Sequence, residues 1–89
     1  MKCVMFYEPA ADGLTKAPAN YPAHRTRIDE FVRRGVLLMI GTWANPAEGA
    51  LAVFTERVAA EEFAHGDPFV QNGVVGTVKF KDWNEILAG

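Results

Sequence analysis

Two histidines, His24 and His65, a single cysteine, Cys3, and the aspartate of an Asp67-Pro68 pair are the residues whose types could move a proton, attack carbon or hold a metal. His24 is the most pointed of them. It lies four residues before Ile28, so at helical spacing it shares a face with Ile28, Phe31 and Val32. An imidazole on an inward face can act as a general acid or base. The same spacing suits a part-buried ring that fills space and bonds a carbonyl or water. Asp67 before Pro68 is the pattern of a helix cap. His65, just before Gly66, sits where a helix end welcomes a cation and reads as a surface residue. Cys3 reads as a small buried hydrophobe. Tyr7 and Trp43 are core, interface or pocket wall. Arg25, Arg27, Arg33 and Arg34 are expected to solvate the outer helix face or to pair with Glu30 and Asp29.

His24 must be positioned by the helix around it. Tyr21 to Gly35 carries start and stop signals: Asn20 as cap, Pro22 in the first turn, and Gly35 able to take the left-handed conformation that ends a helix. In that frame His24 stands in the first turn, beside the positive end of the helix dipole, where a neutral ring is favoured over imidazolium. Before it, Lys2 to Glu8 is an apolar run of strand formers stopped by Pro9. Ala10 to Asn20 shows no periodicity and is expected to be an irregular loop, long enough to cover a site.

Beyond Gly35, Val36 to Ala44 reads as a second strand entering a turn at Asn45, Pro46 and Gly49. Ala50 to Phe54 is the third strand. Thr55 is the expected cap of a second helix with Val58, Ala59 and Phe63 inward and Glu62 at the edge, ended by Gly66. Asp67-Pro68 then opens a short helical turn through Gln71 and Asn72, before Gly73. Val74 to Phe80 is the fourth strand, and in the tail from Lys81 to Gly89 the spacing of Trp83, Ile86 and Leu87 suggests a last helical turn, one that could pack on a neighbouring subunit.

The order is β-α-β-β-α-β: an α+β, ferredoxin-like plan with two helices on one face of a four-stranded antiparallel sheet. Both alternating sets of the first strand are apolar, Cys3, Met5 and Tyr7 on one side and Val4 and Phe6 on the other. Two helices cover only one of these. The uncovered face is therefore expected to pack on a second copy, giving a homodimeric α+β barrel from a single domain spanning 1–89.

The chain is 89 residues long with a formal net charge of -2, a hydrophobic fraction of 49% and 22% charged residues, a balance that folds and offers no basic footprint for nucleic acid. The third strand, ALAVFT, also lacks the basic, glycine-flanked aromatic pattern of RNA-binding modules on this plan. One cysteine allows neither an internal disulfide nor a cysteine-built zinc site, and no run is long enough for a signal or a membrane span, so a cytoplasmic protein is expected. No phosphate loop, dinucleotide fingerprint, nucleophile elbow or metal-ligand spacing occurs, and no cofactor is implied.

Tyr21-Pro22-Ala23-His24, the Gly35-Val36-Leu37-Leu38 passage, and Gly66-Asp67-Pro68-Phe69-Val70 followed by Asn72-Gly73-Val74 together resemble the YciI-like, YCII-related family across nearly the whole chain. The resemblance implies a dimeric α+β barrel and a site with a His-Asp pair matched by His24 and Asp67. A dehydrochlorinase of a chlorinated hydroxyhydroquinone belongs to that family. The resulting expectation is a cofactor-independent lyase or isomerase for a small cyclic or aromatic molecule. His24 would be its general acid or base, Asp67 would orient the ring, and Tyr7, Trp43 and Phe69 would be substrate-binding walls. The alternatives are a non-catalytic small-ligand-binding or interaction module and, on the same barrel, a haem- or quinol-handling monooxygenase.

Overall fold

The computed structural model describes residues 1–88. Its elements are β1 (Lys2–Pro9), α1 (Gly13–Arg33), β2 (Leu37–Thr42), a 3-10 turn (Pro46–Glu48), β3 (Ala50–Phe54), α2 (Arg57–Gly66), α3 (Pro68–Gln71) and β4 (Val75–Trp83). The strands form one antiparallel sheet in the order β2-β3-β1-β4, the β-α-β-β-α-β plan expected.

Strand alternation divides the side chains between two faces. Cys3, Met5 and Tyr7 of β1 lie level with Phe54, Ala52 and Ala50 of β3, and face the helices. There they meet Phe31 of α1 and Ala59, Ala60 and Phe63 of α2 in the core. The Phe63 ring stands edge-on to Phe31 at 5.2 Å and tilts against Phe54 at 5.5 Å. On the opposite face Val4 pairs with Val53 and Phe6 with Leu51, while Met39 of β2 flanks Val53. The helices leave this apolar face uncovered.

The largest difference from expectation is α1. Helix starts at Gly13, so the segment expected to be an irregular loop is mostly helical, and both Pro18 and Pro22 lie inside it. Each proline removes a backbone donor, a local cost that argued for a late start. What outweighs it is tertiary: Gly13 is buried against the Val74 carbonyl, and Leu14, Ala17, Tyr21, His24 and Ile28, at steps of three and four, line one cleft facing the sheet. Asn20 is no cap; its amide donates to the Lys16 carbonyl at 2.9 Å and its Oδ1 accepts from Asn72 at 2.7 Å. His24 is thus eleven residues into the helix, about 16 Å from its positive end, and the dipole argument for a neutral ring does not hold.

The expected end of α1 is present. Gly35 has φ +75°, its N–H donates to Val32 O and that of Val36 to Phe31 O, the paired bonds of a Schellman motif. Thr55 does not cap α2. Glu56 takes the cap position without a side-chain hydrogen bond, the Thr55 N–H donates to Val36 O, and along α2 Val58 faces outward while Ala59, Ala60, Phe63 and Ala64 lie inside. β4 runs on to Trp83, because Lys81, Asp82 and Trp83 pair with Val4, Cys3 and Lys2. After it the described residues bend rather than form the expected helical turn, with Ile86 and Leu87 exposed; Gly89 lies outside the described residues. Glu85 fixes that bend by accepting from Lys2 Nζ at 2.8 Å and from the Leu87 and Ala88 amides.

Candidate active site

Asp67 stands at the junction of α2 and α3, where the chain must stop one helix and start another. Pro68 supplies the first residue of α3 without wasting a donor, and Asp67 caps it: Oδ1 accepts from the Phe69 N–H at 3.0 Å. The cap reading is correct, and it is half of what this side chain does. The carboxylate is completely buried, and a buried carboxylate needs further donors. His24 Nδ1 lies 2.7 Å from Oδ1, and the Tyr7 hydroxyl donates to Oδ2 at 2.6 Å.

An ionised carboxylate can only accept, so the Nδ1 of His24 carries the proton in this bond. The other ring nitrogen, Nε2, has no hydrogen-bond partner among the described residues and is not sealed in, while His24 lines a cleft. The Phe69 ring stacks flat on the imidazole, centroids 3.8 Å apart and planes 3° from parallel. One residue therefore holds both partners, its amide on Asp67 and its ring on His24.

The cleft has a volume of about 660 Å³ and lies between the α1 stripe and the sheet. Leu14, Tyr21, Ile28, Ile40 and Val75 make it mostly apolar, with His24 and Tyr7 in the wall and the Arg25–Asp29 pair, 3.0 Å apart, at its edge. Such a space suits a small ring better than a chain of charges. Burial, with the Asp67 charge behind it, pushes the Tyr7 phenol well above its ordinary range, so it stays a donor.

Of the expected site residues, the fold brings together His24, Asp67, Tyr7 and Phe69. Trp43 is half-exposed beyond the end of β2 and does not line the cleft. His65 is exposed, as expected. Arg27, expected on the outer face, turns inward: Nε donates to Phe63 O at 2.9 Å and Nη2 to Glu62 O at 2.8 Å, with the guanidinium 4.8 Å from the Phe31 ring centre. These carbonyls belong to the last turn of α2, so Arg27 clamps the segment leading into Asp67 against the helix carrying His24. Gly66 permits the clamp, since a Cβ there would collide with the guanidinium. The one cue in the sequence is that Arg27 follows His24 by a single turn.

The family model of the YCII-related domain matches residues 1–84. The chain belongs to this family. Among solved structures it is similar to 5-chloro-2-hydroxyhydroquinone dehydrochlorinase (TftG) from Burkholderia phenoliruptrix AC1100, in complex with 2,5-dihydroxybenzoquinone. That likeness has a TM-score of 0.74 and 16% identity and covers 94% of each chain. At that identity the likeness speaks for the fold. No curated protein sequence matches the chain.

Proposed function

We propose that this YCII-related protein is a lyase or isomerase that works without a cofactor on a small cyclic or aromatic molecule, with His24 moving the proton and Asp67 orienting it. The observation that carries the reading is the 2.7 Å bond between His24 Nδ1 and a fully buried Asp67, set in the wall of an apolar cleft with Nε2 left available. In an elimination Nε2 takes a proton from the substrate. The electron pair left behind moves into the ring, and the leaving group departs with its own pair. Asp67 stabilises the imidazolium while it lasts. In an isomerisation the same nitrogen returns the proton at another atom. Tyr7 and Phe69 wall the reacting ring, and the dehydrochlorinase neighbour makes a chlorinated quinol the first substrate to try.

The test is chloride release from 5-chloro-2-hydroxyhydroquinone under anaerobic conditions. Steady release by the wild-type chain is expected, with a loss of about a hundredfold or more in His24→Ala and Asp67→Asn. Release that is unchanged in both folded variants removes the dyad from the reaction. A ligand that binds wild type but is never converted favours a binding module instead.

The uncovered sheet face supports a second part of the reading: a homodimer formed face to face, each copy a single domain over 1–89. The lone, buried Cys3, free of any disulfide, suits a reducing compartment such as the cytoplasm. No described helix is long and apolar enough to cross a membrane.

A further inference from the structure

Asp67 shares its charge among three donors, and only one of them is His24. Oδ1 takes the Phe69 amide and the His24 Nδ1–H, whereas among the described residues Oδ2 is held by the Tyr7 hydroxyl alone, at 2.6 Å and out of solvent. Hydrogen bonds to one carboxylate compete: a strong donor on one oxygen draws charge from the other and weakens its hold on the second donor's proton. The backbone amide cannot be varied, but the phenol can. We propose that Tyr7 is a positioning residue that sets how tightly the pair keeps the proton taken up by His24, besides forming part of the cleft wall. The proposal rests on the acid–base reading above and deepens it.

A base that must hand its proton on is hindered if its carboxylate grips the imidazolium too strongly. Tyr7 loosens that grip while keeping Asp67 in the orientation that presents Oδ1 to Nδ1. The phenol is fit for the part, because burial and the neighbouring carboxylate keep it protonated. The other charged or titratable groups around the pair are fixed elsewhere. Arg27 on α1 is committed to the Phe63 and Glu62 carbonyls, and Arg25 to Asp29 at the cleft edge. Tyr21, on the open side, lies 6.0 Å from His24 between ring centres. None of these donates to Asp67 among the described residues, so on Oδ2 the phenol acts alone.

The experiment reads the resting protein and needs no substrate. In protein carrying ¹⁵N-histidine, the His24 Nδ1–H should give a downfield proton resonance in the wild type. Tyr7→Phe, which keeps the ring and removes the donor, should move that resonance further downfield and carry the His24 ring titration to higher pH. Replacing Tyr7 by 3-fluorotyrosine, a stronger donor of nearly the same size, should move both the other way. Opposite shifts establish the role, which mere packing would not produce. Wild-type positions in both proteins, or shifts of the same sign, overturn it. If Tyr7→Phe does not fold, the fluorotyrosine protein alone decides. Because nothing is turned over, failure here leaves the chloride-release test of the reaction untouched, and the reverse also holds.

Discussion

Around Asp67 and Arg27, single atoms decide the arrangement. Gly66 is the sharpest case, since its value lies in the absence of a Cβ where the Arg27 guanidinium passes on its way to the carbonyls of α2. Gly66→Ala should displace the guanidinium and forfeit its charge-assisted bonds, lowering stability by about 1–3 kcal/mol in urea unfolding. An unchanged midpoint would mean that the guanidinium moves aside from a Cβ at no net cost. The same substitution should relax the His24–Asp67 distance, because Arg27 ties the segment before Asp67 to the helix carrying His24. The Nδ1–H resonance is the readout for that. Asp67 was readable as a cap from its place before Pro68, and His24 as an inward residue from its spacing to Ile28. Their contact was not, because the two residues stand 43 positions apart, beyond the reach of any local pattern; it was the family resemblance that paired them.

The elements show why local rules succeed in one place and fail in another. β3, α3 and the glycine end of α1 follow from short-range chemistry: strand formers between turn residues, an Asp-Pro start, and a glycine at positive φ. The start of α1 does not. Two prolines weigh against helix before Tyr21, and what offsets them are contacts with distant parts of the chain, Gly13 buried against the Val74 carbonyl and Asn20 bonded to Asn72, which is information held by the fold rather than by the segment. The end of β4 was likewise decided by its partner strand. The bend after it carries its own prediction. The Lys2 ammonium and the Leu87 and Ala88 amides hold the Glu85 carboxyl down at about 2, against 4.5 for an ordinary glutamate. A depressed carboxylate stabilises the fold above its unfolded value and loses that contribution as pH falls toward its folded one. The bend should therefore hold above pH 4.5 and open progressively down to pH 2. Amide exchange at Leu87 and Ala88 measures this, and Glu85→Gln should show the open rate already at neutral pH. Exchange that ignores both pH and substitution would mean that Glu85 does not order the tail.

At the scale of the whole molecule the question is what covers the second face of the sheet. Helices bury one set of strand side chains, while Val4, Phe6, Leu51, Val53 and Met39 form an apolar layer on the other. Lys79 and Lys81 border it from β4, the latter 5.8 Å from the Phe6 ring centre. A chain this small gains little from leaving such a layer in water, and a twofold partner offers an identical surface to pack on. Met39 separates dimerisation from folding, because it is 61% exposed in one chain and its replacement removes no core contact. Light scattering at micromolar concentration should give twice the 9.8 kDa of one chain for the wild type and one chain mass for Met39→Lys, with the circular dichroism of the two nearly superimposable. A charge buried between two sheets has no partner there and costs several kcal/mol, roughly the difference between a nanomolar and a micromolar dimer, whereas on a free monomer surface it costs almost nothing. A wild type that scatters as a monomer at these concentrations would leave the face unpaired, and the sheet-on-sheet dimer would have to be abandoned.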